Sequence, residues 1–259
     1  MGIDIKGIAQ FLHLAETEKR AVERITAKYP ELTVEEAYRI QDELAAIKRA
    51  QGHQVIARKM GLTSQAKMKQ MNVEEPIYGL LFDYMVIDDG GVLVYDELIH
   101  PRVEAEIAFV LGEDLEGPAV TGAQVLKATK YVLPAIEFVD SRYENFKFTL
   151  ADVVADNTSS SRFVLGSKLT SPRGLDLDLI GVSLRINGEI KGLGAGAAVL
   201  GHPANSVAML VNMLARKGEK LRAGEVVLTG GITEAIEVEP GDVVTAKLDQ
   251  LGDVSVVVR

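Results

Sequence analysis

His100-Pro101-Arg102-Val103-Glu104-Ala105-Glu106-Ile107-Ala108-Phe109-Val110-Leu111 carries the pattern that decides the fold. Apolar and β-branched residues dominate after Pro101 and no breaker interrupts them, which predicts a strand. Side chains alternate across a strand, so Glu104 and Glu106 share one face while Val103, Ala105, Ile107 and Phe109 take the other. Two neighbouring carboxylates on a partly buried face repel each other and resist desolvation, so they must be exposed, protonated or joined by a cation. A solvated strand face and a divalent-metal site built from oxygen ligands both fit this stretch alone.

Composition narrows the choice. The chain's 259 residues can bury a full core, as one large domain or one domain with a smaller appendage. A net charge of −9 argues against nucleic acid or an anionic membrane as the main partner, because both need clustered Lys and Arg. Cysteine is absent, which excludes disulfides, thiolate catalysis and cysteine-ligated zinc or iron–sulfur centres. The amino terminus has no basic segment ahead of an apolar run, and no window reads as a membrane span of ~18 apolar residues. A soluble, cytoplasmic protein is expected.

Upstream of the acidic strand, Ile8, Phe11, Leu12, Ala15, Val22 and Ile25 predict a helix over residues 5–28. Thr33-Val34-Glu35-Glu36 has capping-box form, and Ala37, Ile40, Leu44 and Ile47 continue as a core stripe to Gly52. Residues 54–60 read as a strand, followed by a turn and a short helix through Met71. Lys59 at the end of that strand is either a snorkelling surface charge or a hydrogen-bond donor at the mouth of a pocket. Pro76-Ile77-Tyr78-Gly79 breaks the chain, and the turn at Asp88-Asp89-Gly90-Gly91 opens its β-rich part.

Downstream, a helix capped by Thr121 is expected over 122–130, then a strand over 131–139 in which Pro134 favours an edge or a bulge. That strand holds a third acid, Glu137, among apolar neighbours. Three acids on two core strands shift the balance towards a metal, and oxygen-only ligation suits magnesium or manganese better than zinc or copper. Asp152 to Ser161 (DVVADNTSSS), with Arg162 after it, is either a loop that caps its own backbone or a donor-rich loop facing an anion. Asn187-Gly188 marks a hairpin. The glycines of 192–197 follow that hairpin instead of opening a βαβ unit, so they are no dinucleotide fingerprint. A helix is expected over 203–217, with His202 capping or packing it. Gly230 and Gly231 end a strand in a turn that allows close backbone approach to a ligand. A helical front third and a β-rich remainder make the fold class α+β.

Residues 54–233 resemble the fumarylacetoacetase-like superfamily, and within it the branch of meta-cleavage-pathway hydratases and decarboxylases. The matching pieces are RKMGLTS (58–64), EEPIYG (74–79), HPRVEAEIAFVL (100–111), PAIEFVDSR (134–142), VVADNTSSSRFVLG (153–166), VLGHPANSVAML (199–210) and VLTGGIT (227–233). The resemblance implies a mixed β-roll catalytic core over 76–259, with a helical portion over 1–75 that contributes an active-site lysine. It implies that Glu104, Glu106 and Glu137 ligate Mg²⁺ or Mn²⁺ and that Lys59 is the lysine. The ADN-x-SS loop (155–160), with Ser159 and Ser160, and the TGG turn (229–231), with Gly230 and then Thr233, are expected to line the pocket.

Two departures lean towards the decarboxylases of the branch. Hydratases tend to have an acid where this chain has Ile77, and adding water across a double bond needs a proton shuttle that isoleucine cannot provide. They also tend to have glycine where this chain has Arg162, a cation that either recognises a second carboxylate or holds the loop. The activity implied is decarboxylation of a small 2-oxo dicarboxylate, 2-oxo-3-hexenedioate, to 2-hydroxypenta-2,4-dienoate in aromatic catabolism. The alternatives are hydration of that dienol, a C–C bond hydrolase, and a non-catalytic metal-binding partner subunit. A homo-oligomer and a complex with the pathway hydratase are the partners implied.

Overall fold

In the computed structural model, residues 2–64, 68, 69 and 73–259 are described. The chain opens with α1 (Ile5–Thr17), α2 (Ile25–Lys28) and α3 (Val34–Ala50), then β1 (Val55–Gly61) and β2 (Ile77–Phe82). Two short strands, β3 (Val86–Ile87) and β4 (Gly91–Leu93), lead into the long pair β5 (Arg102–Leu111) and β6 (Thr129–Val139), separated by α4 (Gly122–Ala128). Then come α5 (Leu150–Ala155), β7 (Ser160–Leu165), the hairpin β8 (Gly181–Ile186) and β9 (Glu189–Ala195), and α6 (Pro203–Ala215). Strands β10 (Val226–Leu228), β11 (Ile236–Glu237), β12 (Val243–Leu248) and β13 (Gly252–Val258) complete the chain.

The strands form two mixed sheets. One runs β2-β1-β10-β5-β6-β7-β3, with β11 also on β5, and the other runs β4-β13-β12-β8-β9. Alternation along β5 and β6 sends Val103, Ile107, Phe109, Ile136 and Phe138 towards the second sheet, where they pack with Leu184, Val244, Val254 and Val256. The opposite face of the first sheet carries a smaller apolar layer of Ala57, Leu81, Phe82, Ala108, Leu133, Ala135, Phe163 and Leu228. The acidic residues lie on this second face. The result is the mixed β-roll expected, in the α+β class.

The helical front third packs elsewhere. Ile8, Leu12, Ile40 and Leu44 bury against Tyr143, Val154 and Ala155 of the segment that follows β6. Strand β1 lies inside the main sheet between β2 and β10, so the sheet crosses residue 75 and holds Lys59 directly.

Three local expectations need correction. The helix over 5–28 is broken: α1 stops at Thr17, Lys19 takes a positive φ of 52°, and Val22 bridges to Tyr143. Only α2 resumes, because tying the chain to Tyr143 outweighs the helical periodicity. Pro134 sits in an interior strand, paired with Ile107. Its carbonyl accepts from Gly166 N beyond the last residue of β7, so its missing N–H falls where the neighbouring strand has ended. The bulge lies further on, between Phe138 and Val139. Finally, residues 196–215 are long and apolar enough to cross a membrane, yet 56% of that window is buried inside the fold. The helix in it, α6, has 13 residues, about 20 Å against the ~30 Å of a bilayer core.

Other expectations hold. Thr33 and Thr121 each close a capping box, His202 Nδ1 accepts from Ala204 N at the start of α6, and Asn187-Gly188 turns the β8–β9 hairpin. The short helix expected through Met71 lies largely outside the described residues.

Candidate metal centre

Strand register brings the three acids together. Glu104 on β5 stands directly opposite Glu137 on β6, and Glu106 follows two residues along on the same face. One carboxylate oxygen from each lies within 4.8 Å of the others. All three are buried, Glu106 and Glu137 completely.

Such a cluster is costly without a counter-charge. Burial first, then repulsion from Glu137 and Glu104, holds the Glu106 carboxyl well above the ordinary carboxylate range. Burial raises Glu137 as well, Lys59 opposes this, and Glu104 adds to it. Glu106 Oε2 accepts from the Gly230 amide at 2.7 Å, whereas Glu106 Oε1 and both oxygens of Glu137 have no hydrogen-bond donor. Orphan oxygens on two buried carboxylates, Glu106 and Glu137, converging with the carboxylate of Glu104, make the donor set of a hard divalent cation. The residues present fit Mg²⁺ or Mn²⁺.

Lys59 closes one side of the cluster. Its strand pairs with β10 and β2, which puts its side chain on the acidic face. The buried ammonium stands 3.1 Å from Glu137 Oε1, an ion pair without hydrogen-bond alignment, and donates to the Thr158 carbonyl at 3.1 Å. Lys59 is therefore not the snorkelling surface charge that its place at a strand end also allowed.

The Gly-rich turn after β10 closes another side. Gly230 has φ +106°, and a Cβ there would lie 2.1 Å from Thr63 Oγ1. A Cβ on Gly231 would lie 2.5 Å from the Glu104 carboxylate carbon. Only a bare backbone can pass this close to the acids. Thr233, buried beside the turn, accepts from Ala105 N on β5.

Ile77 pairs with Gly61 on the same face as Lys59 and is buried. Ser160 spends its hydroxyl on the Asn157 carbonyl at 2.7 Å, and Ser159 Oγ is buried with no hydrogen-bond partner. Arg162 is not brought to the acids. Register places Phe163 beside Glu137 and Arg162 beside Phe138, and the Arg162 guanidinium pairs with Glu97 at 3.1 Å and stands over the Tyr84 ring.

Two residues that anchor the turn had no individual signal in the sequence. Arg142 is buried, and its guanidinium binds the Asp156 carboxylate and the carbonyls of Asp140, Asp156 and Ser160. It thereby clamps both ends of the 156–160 turn to the end of β6. Asn157 binds Leu80 twice, accepting from its N–H and donating to its C=O, each at 2.8 Å. A polar loop followed by arginine hinted at an anchored turn, but it did not identify the anchors.

Residues 46–259 match the fumarylacetoacetate (FAA) hydrolase C-terminal family. Over 251 residues the chain is 50% identical to 4-oxalocrotonate decarboxylase of Pseudomonas sp. (strain CF600), covering 97% of this chain and 95% of that one. It is 42% identical over 246 residues to 2-keto-4-pentenoate hydratase of Paraburkholderia xenovorans (strain LB400), covering 95% and 91%. The structure of 4-oxalocrotonate decarboxylase from Pseudomonas putida G7, complexed with magnesium and adipate, superposes with a TM-score of 0.96 at 47% identity over 98% of this chain and 97% of that one.

Proposed function

The chain belongs to the fumarylacetoacetate hydrolase C-terminal family, and from that membership we propose that it is a metal-dependent carbon–carbon lyase, a carboxy-lyase acting on 2-oxo-3-hexenedioate. The products are 2-hydroxypenta-2,4-dienoate and CO₂, a step in the meta-cleavage route of aromatic catabolism. The observation that carries this reading is the buried Glu104–Glu106–Glu137 cluster with the Lys59 ammonium 3.1 Å from one of its oxygens. The similarity to decarboxylases over almost the whole chain supports it, as does the adipate of the P. putida G7 relative, a six-carbon dicarboxylate of the same length as the substrate proposed but without its double bond.

Glu104, Glu106 and Glu137 would hold the Mg²⁺ or Mn²⁺. A bound divalent cation supplies Lewis acidity towards the 2-oxo oxygen, where charge collects as the C5–C6 bond breaks. The bond's electron pair moves through the conjugated double bond to C2 and its oxygen, C6 leaves as CO₂, and a proton returns to that oxygen to give the dienol. Lys59 is placed to donate a hydrogen bond to the growing charge, preoriented by Thr158 O and Glu137. Gly230 N fixes the Glu106 carboxylate, so the acids do not reorganise during the reaction. Ile77, on the Lys59 face, offers no proton for adding water across the double bond and presents an apolar wall to a group leaving as neutral CO₂. Ser159 brings an unspent hydroxyl, and Ser160, Gly230 and Thr233 shape the rim. For Arg162, the ion pair with Glu97 favours holding the loop over recognising a second carboxylate.

The test is a paired turnover assay with Mg²⁺, following loss of 2-oxo-3-hexenedioate and of 2-hydroxypenta-2,4-dienoate separately. CO₂ release from the first without consumption of the second is expected. Consumption of the dienol alone would identify the chain with the hydratases, to which it is 42% identical. A homo-oligomer, and association with the hydratase that consumes the product, belong to the same proposal and are read by light scattering with and without that hydratase.

A further inference from the structure

Strand β2 is an edge strand, with β1 on one side and, among the described residues, no strand on the other. The backbone groups on that open edge are satisfied by side chains. Asn157 takes both the N–H and the C=O of Leu80, and Thr158 Oγ1 and Gln41 Nε2 donate to the carbonyl of Tyr78 at 2.8 and 3.0 Å. The carboxamide of Asn157 thus stands where a neighbouring strand's peptide group would be.

The backbone carrying this side chain is in an unfavourable conformation. Asn157, Thr158 and Ser159 have φ values of 48°, 55° and 55°, three consecutive non-glycine residues in the left-handed region. The turn has two chemical results. The Thr158 carbonyl points at Lys59 and accepts from its Nζ, and the Ser159 hydroxyl is left buried without a partner. Arg142 holds the turn's two ends, and Asn157, through two bonds to Leu80 beside the single Thr158–Tyr78 bond, ties its middle to β2.

We infer that Asn157 is a positioning residue for Lys59: by splinting the open edge of β2 it holds the left-handed turn whose Thr158 carbonyl fixes the lysine ammonium beside Glu137. The consequence for turnover rests on the decarboxylase reading above, whereas the placement of Lys59 does not.

Asn157→Gly separates the side chain from the backbone, because glycine accepts φ near +50° without strain while removing both bonds to Leu80. Three readouts apply to the metal-loaded enzyme. The crystal structure of the variant should show Lys59 Nζ displaced from the Thr158 carbonyl. With 2-oxo-3-hexenedioate, kcat should fall by about 10²-fold, the cost of misplacing a catalytic group by an ångström, with KM and Mn²⁺ affinity within about threefold, since no metal ligand is touched. Thr26→Val, which removes a 2.7 Å hydrogen bond to Asp152 and touches neither the acids nor Lys59, controls for general destabilisation and should lower Tm while leaving kcat intact.

Lys59 unmoved in the variant overturns the inference, and so does a kcat equal to wild type. A parallel loss of Mn²⁺ affinity and kcat overturns it too, by reducing Asn157 to a structural part of the whole centre. If the wild-type protein fails to decarboxylate, the functional reading falls, and the crystallographic position of Lys59 alone decides the role of Asn157.

Discussion

Replacing Gly231 with alanine tests the metal centre without altering any ligand. The added methyl would lie 2.5 Å from the Glu104 carboxylate carbon and 2.7 Å from both its oxygens, where ordinary contact begins at 3.4 Å. Gly231 does not have a positive φ, so the backbone tolerates alanine and the side chain must yield. The carboxylate retreats by most of an ångström. The fold pays little, because what moves is the end of a flexible side chain; a loss of at most about 1 kcal/mol is expected, the low end of overpacking costs. The metal pays more. Mg²⁺ and Mn²⁺ sites demand near-ideal geometry from their oxygen ligands, and disturbing one ligand's placement typically weakens binding about 10–100-fold, or ~1.4–2.8 kcal/mol. Titration with Mn²⁺, read by calorimetry or by the free-ion spin signal, should show that drop while Tm without metal shifts by only ~2–4 °C. Wild-type Mn²⁺ affinity in Gly231→Ala would refute the claim that Glu104 is a ligand held in place by the Gly230–Gly231 turn.

Lys59→Ala should lower kcat by at least ~10²-fold while Mn²⁺ affinity changes little; equal loss of both in the same titration would assign the lysine a structural role. Mg²⁺ should raise Tm more at about pH 8 than at about pH 5.5, because ligands must lose their protons to bind. The sign follows from Glu106 and Glu137, whose pKa values are raised in the folded protein. In the metal-free protein their contribution is most favourable below the unfolded carboxylate pKa and worsens as pH rises through the folded values, and the cation removes that penalty. A Mg²⁺ shift independent of pH would contradict this. Glu16 is the opposite case: burial raises it, but Lys48, 2.7 Å away, and then Arg142 outweigh this and bring it down to about 2. Its contribution is complete above the unfolded value and is lost as pH falls through about 2. Glu16→Gln strands the buried Lys48 and should cost about 3 kcal/mol at neutral pH, with the gap to wild type narrowing in acid, as measured by urea melts across pH.

What was legible in the chain was what alternation and spacing encode locally. Glu104 and Glu106 could be placed on one face because a strand's period is two, and the capping boxes at Thr33 and Thr121 have their own short signatures. Convergence with Glu137 was not legible, because it depends on the β5–β6 register, and an antiparallel pair slipped by one residue would send Glu137 to the other face. Lys59 remained ambiguous for a similar reason: only β10 on one side and β2 on the other make it a buried donor. Pro134 misled because its missing N–H is harmless at the one place where β7 has ended. Arg142 and Asn157 act almost wholly through backbone carbonyls and amides of distant residues, which no side-chain pattern announces. The resemblance reached the acids and the lysine through their motifs, and it placed the 155–160 loop in the pocket lining without giving Asn157 or Arg142 an anchoring role.

The side-chain cover over the edge of β2 has a consequence for how the protein is made. The groups that complete the edge come from Gln41 and from Asn157 and Thr158, before and well after the strand itself. A chain emerging from the ribosome therefore has β2 long before it has the second half of its cover. Until residue 158 is available, the carbonyls of Tyr78 and Leu80 face outward as a template for any extended segment, including another nascent copy. Contacts of such long sequence separation also form slowly. The centre's assembly and the covering of the β2 edge are thus the same late event, and a chain stalled before residue 157 should be both inactive and prone to aggregate.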